Sequence, residues 1–369
     1  MDEPAAKDLF PGTFSRHAGA YKRRLDEVMS RGEAHGRTAV IHWVDPRPGM
    51  RILDLACGPG TLSYPIAQSV SPGGEVVGID LAPGMIELAL RDVPPALPVR
   101  FELMDMEDLR FPDHSFDAAL CGHGFQFVPD LRRALSETRR VLKPGARMAA
   151  SVPVDPATPS EAQVILERSL GGALPPAPKA RDQLVTRRTV EDEKSFVTIA
   201  KQAGFSVAEV VRYQESTTWA SPQHFIDMSA GWWSMAIRLE PLAPGERASL
   251  LERATQAIEA ELGTGPLRIA EPRPTCCRRS PDRLPEGAAA DQHVEDRPNT
   301  PHDADDGPEQ LLASGEIIAA QNVDERQQVR ERMQEGRNQD FEQKLHVGMV
   351  PMARTRRLSG VSGAPSQSP

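Results

Sequence analysis

Between residues 50 and 152 the chain alternates two hydrophobic patterns. Short apolar runs bounded by turn residues fall at 50–56, 75–80, 99–104, 118–121 and 146–152. Continuous apolar runs of that length predict strands buried on both faces. Between them, at 62–70, 83–90 and 131–142, apolar positions recur at helical spacing, which predicts helices packed by one face. Strand and helix in regular alternation specify an α/β domain with a doubly wound, mostly parallel sheet. Ligands of such sheets sit beyond the carboxyl ends of the strands, so the residues just after each strand are the ones to read for chemistry.

Two helices are expected before this region. Helical spacing with mixed charge runs through 14–29 and again through 34–44, where Pro46 and Pro48 end it. After residue 155 the pattern loosens. Helical stretches are expected at 160–170 and 190–203, around a Pro- and Gly-rich joint at 171–178, and a sixth strand at 207–213. Four large aromatics, Trp219, Phe225, Trp232 and Trp233, then cluster in a chain with only 5% aromatic residues. They suit either the roof of an apolar pocket or the core of a helical cap.

Composition changes at residue 271. Leu, Ile, Val and Phe supply 14 of the last 99 residues, while 30 of those 99 are charged. So little apolar side chain does not repay the entropy of folding, which predicts a mostly disordered tail with one polar helix at 322–346. Such a tail is either a solvated appendage or a segment that folds on a partner. The expected organisation is helices over the site at 1–45, a ligand-binding core at 46–155, the remaining sheet with a helical cap at 156–270, and the tail at 271–369.

The whole chain has 369 residues and a formal net charge of −9. A mildly acidic surface argues against nucleic acid as a partner. No apolar run approaches the roughly 20 residues of a membrane helix. The first residues show neither a basic nor an apolar leader pattern, and the four cysteines fit no zinc spacing. A cytoplasmic protein without a metal centre is the expectation.

The chemistry-bearing residues follow the strands. After the first comes Asp54-Leu55-Ala56-Cys57-Gly58-Pro59-Gly60, where small residues let a ligand approach the backbone and the following helix points its N-terminus at it. A P-loop would need a lysine, and a dinucleotide loop a third glycine where Ser63 stands. The second strand ends at Asp80, a carboxylate placed to accept from ribose hydroxyls. The third is followed by Asp105-Met106, an acceptor beside an apolar side chain, which suits a purine. The fourth runs into Cys121-Gly122-His123-Gly124-Phe125-Gln126-Phe127.

The phrases "ILDLACGPGTLS", "VVGIDLAPGMIELA", "FELMDMEDLRFPDHSFDAALC" and "LRRALSETRRVLKPGARM", in this order, resemble the class I S-adenosylmethionine-dependent methyltransferases. Among these they are most similar to the small-molecule branch with the ubiquinone and menaquinone biosynthesis methyltransferases. The resemblance covers residues 14–215 well and does not reach the tail. It implies a Rossmann-like sheet of seven strands and S-adenosylmethionine as cofactor. Asp54, Ala56 and Gly58 then match the loop that holds the methionine part. Asp80 matches the ribose acid, Leu81 and Met85 line the adenosine, and Asp105 and Met106 match the adenine contacts. Cys121 matches the residue whose backbone lies near the sulfonium. Tyr21 resembles the N-terminal tyrosine that closes over the cofactor, although Lys22 follows it where aspartate is usual; a residue packed on the core is the other reading.

Methyl transfer needs alignment more than acid–base help, because the donor is already activated. His123 is the candidate general base, with pocket shaping as its alternative role. Gln126, Phe127, Trp219 and Trp232 are the candidate substrate contacts for a small, partly apolar acceptor. The rivals are a non-methylating member of the fold, such as a cofactor-binding protein or a cyclase, and a nucleotide-cofactor oxidoreductase. One departure stands out. The closing antiparallel strand has only 267–270 to draw on before the tail begins, so it is expected to be short or missing, as in a genuine extension or after a reading-frame change.

Overall fold

The computed structural model describes residues 4–154, 159–171, 173–206, 209–212, 215–270 and 273–278. All of them lie in the first of two units of the chain, Met1–Pro285. The expected disorder and polar helix of the tail lie outside the described residues.

Two helices come first, α1 (Ala6–Ser30) and α2 (His35–Val44). The alternating region follows as β1 (Arg51–Leu55), α3 (Ser63–Val70), β2 (Glu75–Asp80), α4 (Pro83–Arg91), β3 (Val99–Leu103), β4 (Phe116–Gly122), α5 (Leu131–Val141) and β5 (Leu142–Val154). Then come α6 (Glu161–Leu170), α7 (Leu184–Glu191), α8 (Glu193–Gln202), β6 (Glu209–Arg212), β7 (Ser216–Trp219), α9 (Pro222–Ala230), α10 (Trp233–Leu239), α11 (Pro244–Leu262), β8 (Leu267–Ala270) and β9 (Arg273–Arg278).

Five parallel strands run in the order β3-β2-β1-β4-β5. The order reverses between β1 and β4, which opens a crevice at their carboxyl ends. Side chains alternate across the sheet with period two. Leu53, Leu55, Ala119 and Cys121 face the cluster built on Phe125, Leu135 and Phe196. Ile52, Ala118 and Leu120 face the opposite cluster, with Val40 and Val44 of α2 and Ile66 and Val70 of α3. Both faces are thus covered, as the unbroken apolar runs require.

The closing strand differs from the sequence expectation. Residues 267–270 do not enter the main sheet; β8 pairs antiparallel with β7 in a separate ribbon. The backbone of β9 instead lies between β5 and β6, antiparallel to both. Thr-Cys-Cys within β9 is β-prone, but its Pro and Arg neighbours and the tail composition hid it. The first helix also starts at Ala6 rather than at 14. Pro11 sits inside α1, and Ala6, Leu9 and Phe10 gain burial that compensates the missing backbone donor. The helix expected at 190–203 is two helices, broken at Asp192, whose side chain caps α8 by accepting from Ser195 N.

Candidate functional site

The loop after β1 forms the floor of the site. Ala56 and Gly58 hold positive φ, +52° and +54°, and the Gly58 N–H donates to Asp80 Oδ2 at 2.9 Å. Asp80 Oδ1 accepts from Ala82 N at 2.8 Å, so this carboxylate ties the two loops together. Burial pushes its pKa up and the loop N–H groups pull it back. A Cβ at Gly58 would meet nothing within 4 Å, because the residue faces open space. That space is a cavity of about 810 Å³ including its mouth. Ala56, Gly58, Asp80, Leu81, Met85, Asp105 and Met106 all line it, so seven of the residues read from sequence converge on one cavity.

Asp54 lies under the floor and does not line the cavity. It shares the Ile52 face of β1, where Ser63 Oγ at the start of α3 donates to its Oδ2 at 2.5 Å. It is almost fully buried, and its Oδ1 has no hydrogen-bond partner. Burial pushes its pKa up to about 7, against the pull of Ser63. A buried carboxyl with one oxygen unsatisfied favours positive charge nearby.

The loop after β4 forms one wall. Cys121 is a core residue of that strand, and burial pushes its thiol up to about 12, so it contributes backbone and no reactive sulfur. Gly122, His123, Gly124 and Phe127 line the cavity. A Cβ at Gly124 would come within 2.5 Å of the Ala56 Cβ, so only glycine lets the two loops close. His123 holds φ of +65°, unusual for a residue with a side chain. Its N–H donates to Ser151 O at 2.9 Å and its O accepts from Gln126 Nε2 at 2.8 Å. Gln126, expected as a substrate contact, is buried and does not line the cavity; it braces the His123 backbone. Its own carbonyl accepts from Gln183. Burial, then the charge of Arg37, hold the His123 pKa well below its ordinary value, and its Nε2 has no hydrogen-bond partner.

The roof comes from α1, in the helical segment expected over the site, although Lys7, Phe10 and Phe14 were not singled out as site residues. Lys7, Phe10, Phe14 and Tyr21 all line the cavity. They recur at three, four and seven residues, so they share one helix face, and that spacing was the available signal. Phe10, Phe14 and Phe127 pack with Trp233 at centroid distances of 4.9 to 6.5 Å. Lys7 Nζ reaches Asp105 Oδ2 at 2.6 Å and the buried Glu107 Oε2 at 2.7 Å. Asp105 Oδ1 also accepts from Glu107 N at 2.9 Å, so both oxygens of the expected adenine acceptor already hold partners.

A second cavity, about 550 Å³ with its mouth, adjoins the first and shares Tyr21 and His123 with it. Trp232 lines it and stacks on Tyr21 at 6.0 Å and 28°. Trp219 lines neither cavity. It is fully buried in the cap core, with the Arg24 and Arg31 guanidinium groups over its ring at 4.8 and 5.1 Å. The aromatic cluster of the sequence therefore divides between roles. Trp219 and Phe225 build the cap, Trp233 backs the α1 roof, and Trp232 faces a cavity.

This set fits a nucleoside cofactor with a cationic amino-acid arm. Asp80 could hold the ribose hydroxyls and Leu81, Met85 and Met106 the ring, with the Asp54 carboxyl beneath the floor to favour a positive charge above it. Among the described residues no three His, Cys, Asp or Glu side chains gather as metal ligands, and no helix is long and apolar enough to cross a membrane.

A mostly parallel sheet with a nucleoside-sized cavity at its order reversal defines a Rossmann-like cofactor domain. Residues 52–145 match a family described as "Methyltransferase domain". The chain is 36% identical over 147 residues to 2-phytyl-1,4-naphtoquinone methyltransferase of Synechococcus elongatus, covering 39% of this chain and 63% of that protein. It is 43% identical over 128 residues to demethylmenaquinone methyltransferase of Symbiobacterium thermophilum, covering 33% and 51%. Nocamycin O-methyltransferase of Saccharothrix syringae aligns further, 28% identical over 248 residues, covering 63% of this chain and 86% of that protein. The chain thus spans less than two thirds of the two quinone methyltransferases it matches.

Proposed function

We propose that the protein transfers the methyl group of S-adenosylmethionine to O, N or C of a small, partly apolar metabolite, quinone-like or from secondary metabolism. The observation that carries this reading is the pair of adjoining cavities that share Tyr21 and His123. The first has a lining that suits a nucleoside, the second one that sets Tyr21, Trp232, Leu25 and Val28 beside Arg24, Arg37 and Glu215. The three similar proteins named above are methyltransferases by name, and the longest alignment extends past the cofactor domain into the cap.

The cofactor supplies an activated methyl on a sulfonium. The chain's own residues do the rest. Asp80, between two backbone N–H donors, would hold a ribose, and Asp54, beneath the floor, would favour the ammonium of the methionine arm through its charge. Gly122 and His123 form the wall between the cavities and set where an acceptor atom can stand. Neutral His123 can accept a proton at Nε2 from an acceptor that arrives protonated. Phe10, Phe14, Tyr21 and Phe127 keep water out. A cytoplasmic location and a small-molecule partner, not nucleic acid, belong to the same reading.

The test is incubation with methyl-labelled S-adenosylmethionine and a metabolite extract, followed by a mass search for a labelled one-methyl shift. Label appearing in no small molecule, with the cofactor demonstrably bound, would favour a non-methylating role.

A further inference from the structure

Arg37 is 8% exposed, on α2, and lines the second cavity. Its side chain makes one hydrogen bond, from Nη2 to Tyr21 Oη at 3.3 Å. Among the described residues no carboxylate lies within ion-pair distance of it. A buried guanidinium has five N–H donors and a fixed charge, and leaving both without an anion is unfavourable. Its stem runs beside Gly122, since a Cβ there would lie 3.9 Å from Arg37 Cγ. The charge therefore stands next to the wall that separates the two cavities.

The rest of the lining has a consistent character. Glu215 is the acid of this cavity, and its Oε1 accepts from Gly36 N in the first turn of α2, where a negative group complements the helix dipole. Arg24 adds a second guanidinium, 5.2 Å from the Trp232 ring centroid. Trp232 offers a flat face, and Leu25 and Val28 extend the apolar side. Two guanidinium groups beside an aromatic and apolar lining describe the complement of an aromatic or conjugated acid.

We propose that the second cavity binds an acceptor bearing an oxyanion, a carboxylate or a phenol or enol ionised at neutral pH, with that oxygen on Arg37 and the flat body against Trp232. The proposal rests on the methyltransferase reading for the word acceptor, but the recognition itself does not need it. Arginine suits the task because its planar fork pairs with two oxygens or with one oxygen and the Tyr21 hydroxyl.

The test compares 2-naphthoate with its neutral isostere 2-naphthamide by calorimetry, with and without S-adenosylhomocysteine. The acid is expected to bind the unmodified protein at least tenfold more tightly than the amide. Arg37→Met is expected to erase that preference, and Arg37→Lys to keep part of it. Equal affinity for acid and amide in the unmodified protein, including no measurable binding of either, overturns the proposal, as does a preference that survives in folded Arg37→Met. Titration with S-adenosylhomocysteine alone separates the two readings. A protein that binds it but ignores the acid sinks only the anion pocket. A protein that prefers the acid but never binds it sinks only the methyltransferase reading.

Discussion

Lys7 Nζ stands 2.6 Å from Asp105 Oδ2, joining the first turns of α1 to the loop after β3 across the mouth of the cofactor cavity. The same ammonium holds Glu107 Oε2 at 2.7 Å, and these two acids hold the Lys7 pKa above its ordinary value although desolvation opposes them. The pair is a clasp on the helix that carries Phe10, Phe14 and Tyr21. Lys7 is 40% exposed, so the clasp is worth only about 0.2–1 kcal/mol and weakens in salt. Lys7→Met is expected to speed release of S-adenosylhomocysteine by roughly two- to fivefold, the rate equivalent of that energy. High salt should have a similar effect on the unmodified protein and little on the variant. Stopped-flow fluorescence of the Trp232 and Trp233 region would read both rates, and equal rates for the two proteins would show that α1 is held by its aromatic face alone.

Asp80 supports the floor and is the proposed partner of the ribose. Both of its oxygens already accept loop N–H groups, from Gly58 and Ala82, and the residue lines the cavity. Asp80→Ala is expected to weaken S-adenosylmethionine binding by about 1–3 kcal/mol, and also to lower Tm, since two donors lose their acceptor. Asp80→Asn keeps one acceptor oxygen and should lose less on both counts. Calorimetry that finds unchanged affinity in a folded Asp80→Ala protein would remove the ribose role.

Much of this was legible in the sequence because parallel strands buried on both faces leave an unmistakable apolar pattern. Their ends then point to Ala56, Gly58, Asp80, Asp105 and Met106 without further information. What the pattern could not give was depth. Asp54 and Gln126 sit one residue layer behind the surface they were expected to form, and burial direction within a loop has no periodicity to read. Trp219 and Trp232 look alike in sequence, yet one is core and one faces a cavity, because the cap has no repeat to set its register. Lys7 and Phe10 were missed because helical spacing was read only from residue 14, whereas burial of Ala6, Leu9 and Phe10 extends the helix back past Pro11. Strand β9 was missed because strand propensity within a polar tail is overridden by composition, while pairing with β5 and β6 is a long-range event.

Asp54 should make cofactor binding depend on pH. Its pKa is raised to about 7 in the folded protein, so ionisation is incomplete at pH 6 and nearly complete at pH 8. A cationic ammonium favours the ionised form, and affinity for S-adenosylmethionine is expected to rise about tenfold across that interval, following the ionised fraction. The sign for stability is the reverse. A raised acid pKa means the folded state binds the extra proton, so the apoprotein should lose stability as pH rises from about 4 to 7 through this group. Asp54→Asn should flatten both dependences. A binding constant that is level from pH 6 to 8 would exclude Asp54 as the ammonium partner.

His123 separates two roles by its pH behaviour. Burial and the neighbouring Arg37 keep it neutral well below its ordinary pKa, so a catalytic limb from its protonation should fall clearly on the acid side of 6.5. The same depression has a stability consequence. Its neutral form is favoured only in the folded state, so stability is expected to decline as pH falls below about 6.5, the unfolded value. As a general base, His123→Asn should lower turnover by roughly 100-fold or more and remove the acid limb, with cofactor affinity close to the parent. Asparagine is the informative replacement because it adopts the positive φ of this position at less cost than alanine. If the acceptor instead arrives as an anion held by Arg37, no proton needs to leave. The loss in His123→Asn should then stay below tenfold, and the acid limb should persist with the pKa of the acceptor itself. Rates measured against pH for both proteins, with an acid acceptor and with a neutral one, assign the role.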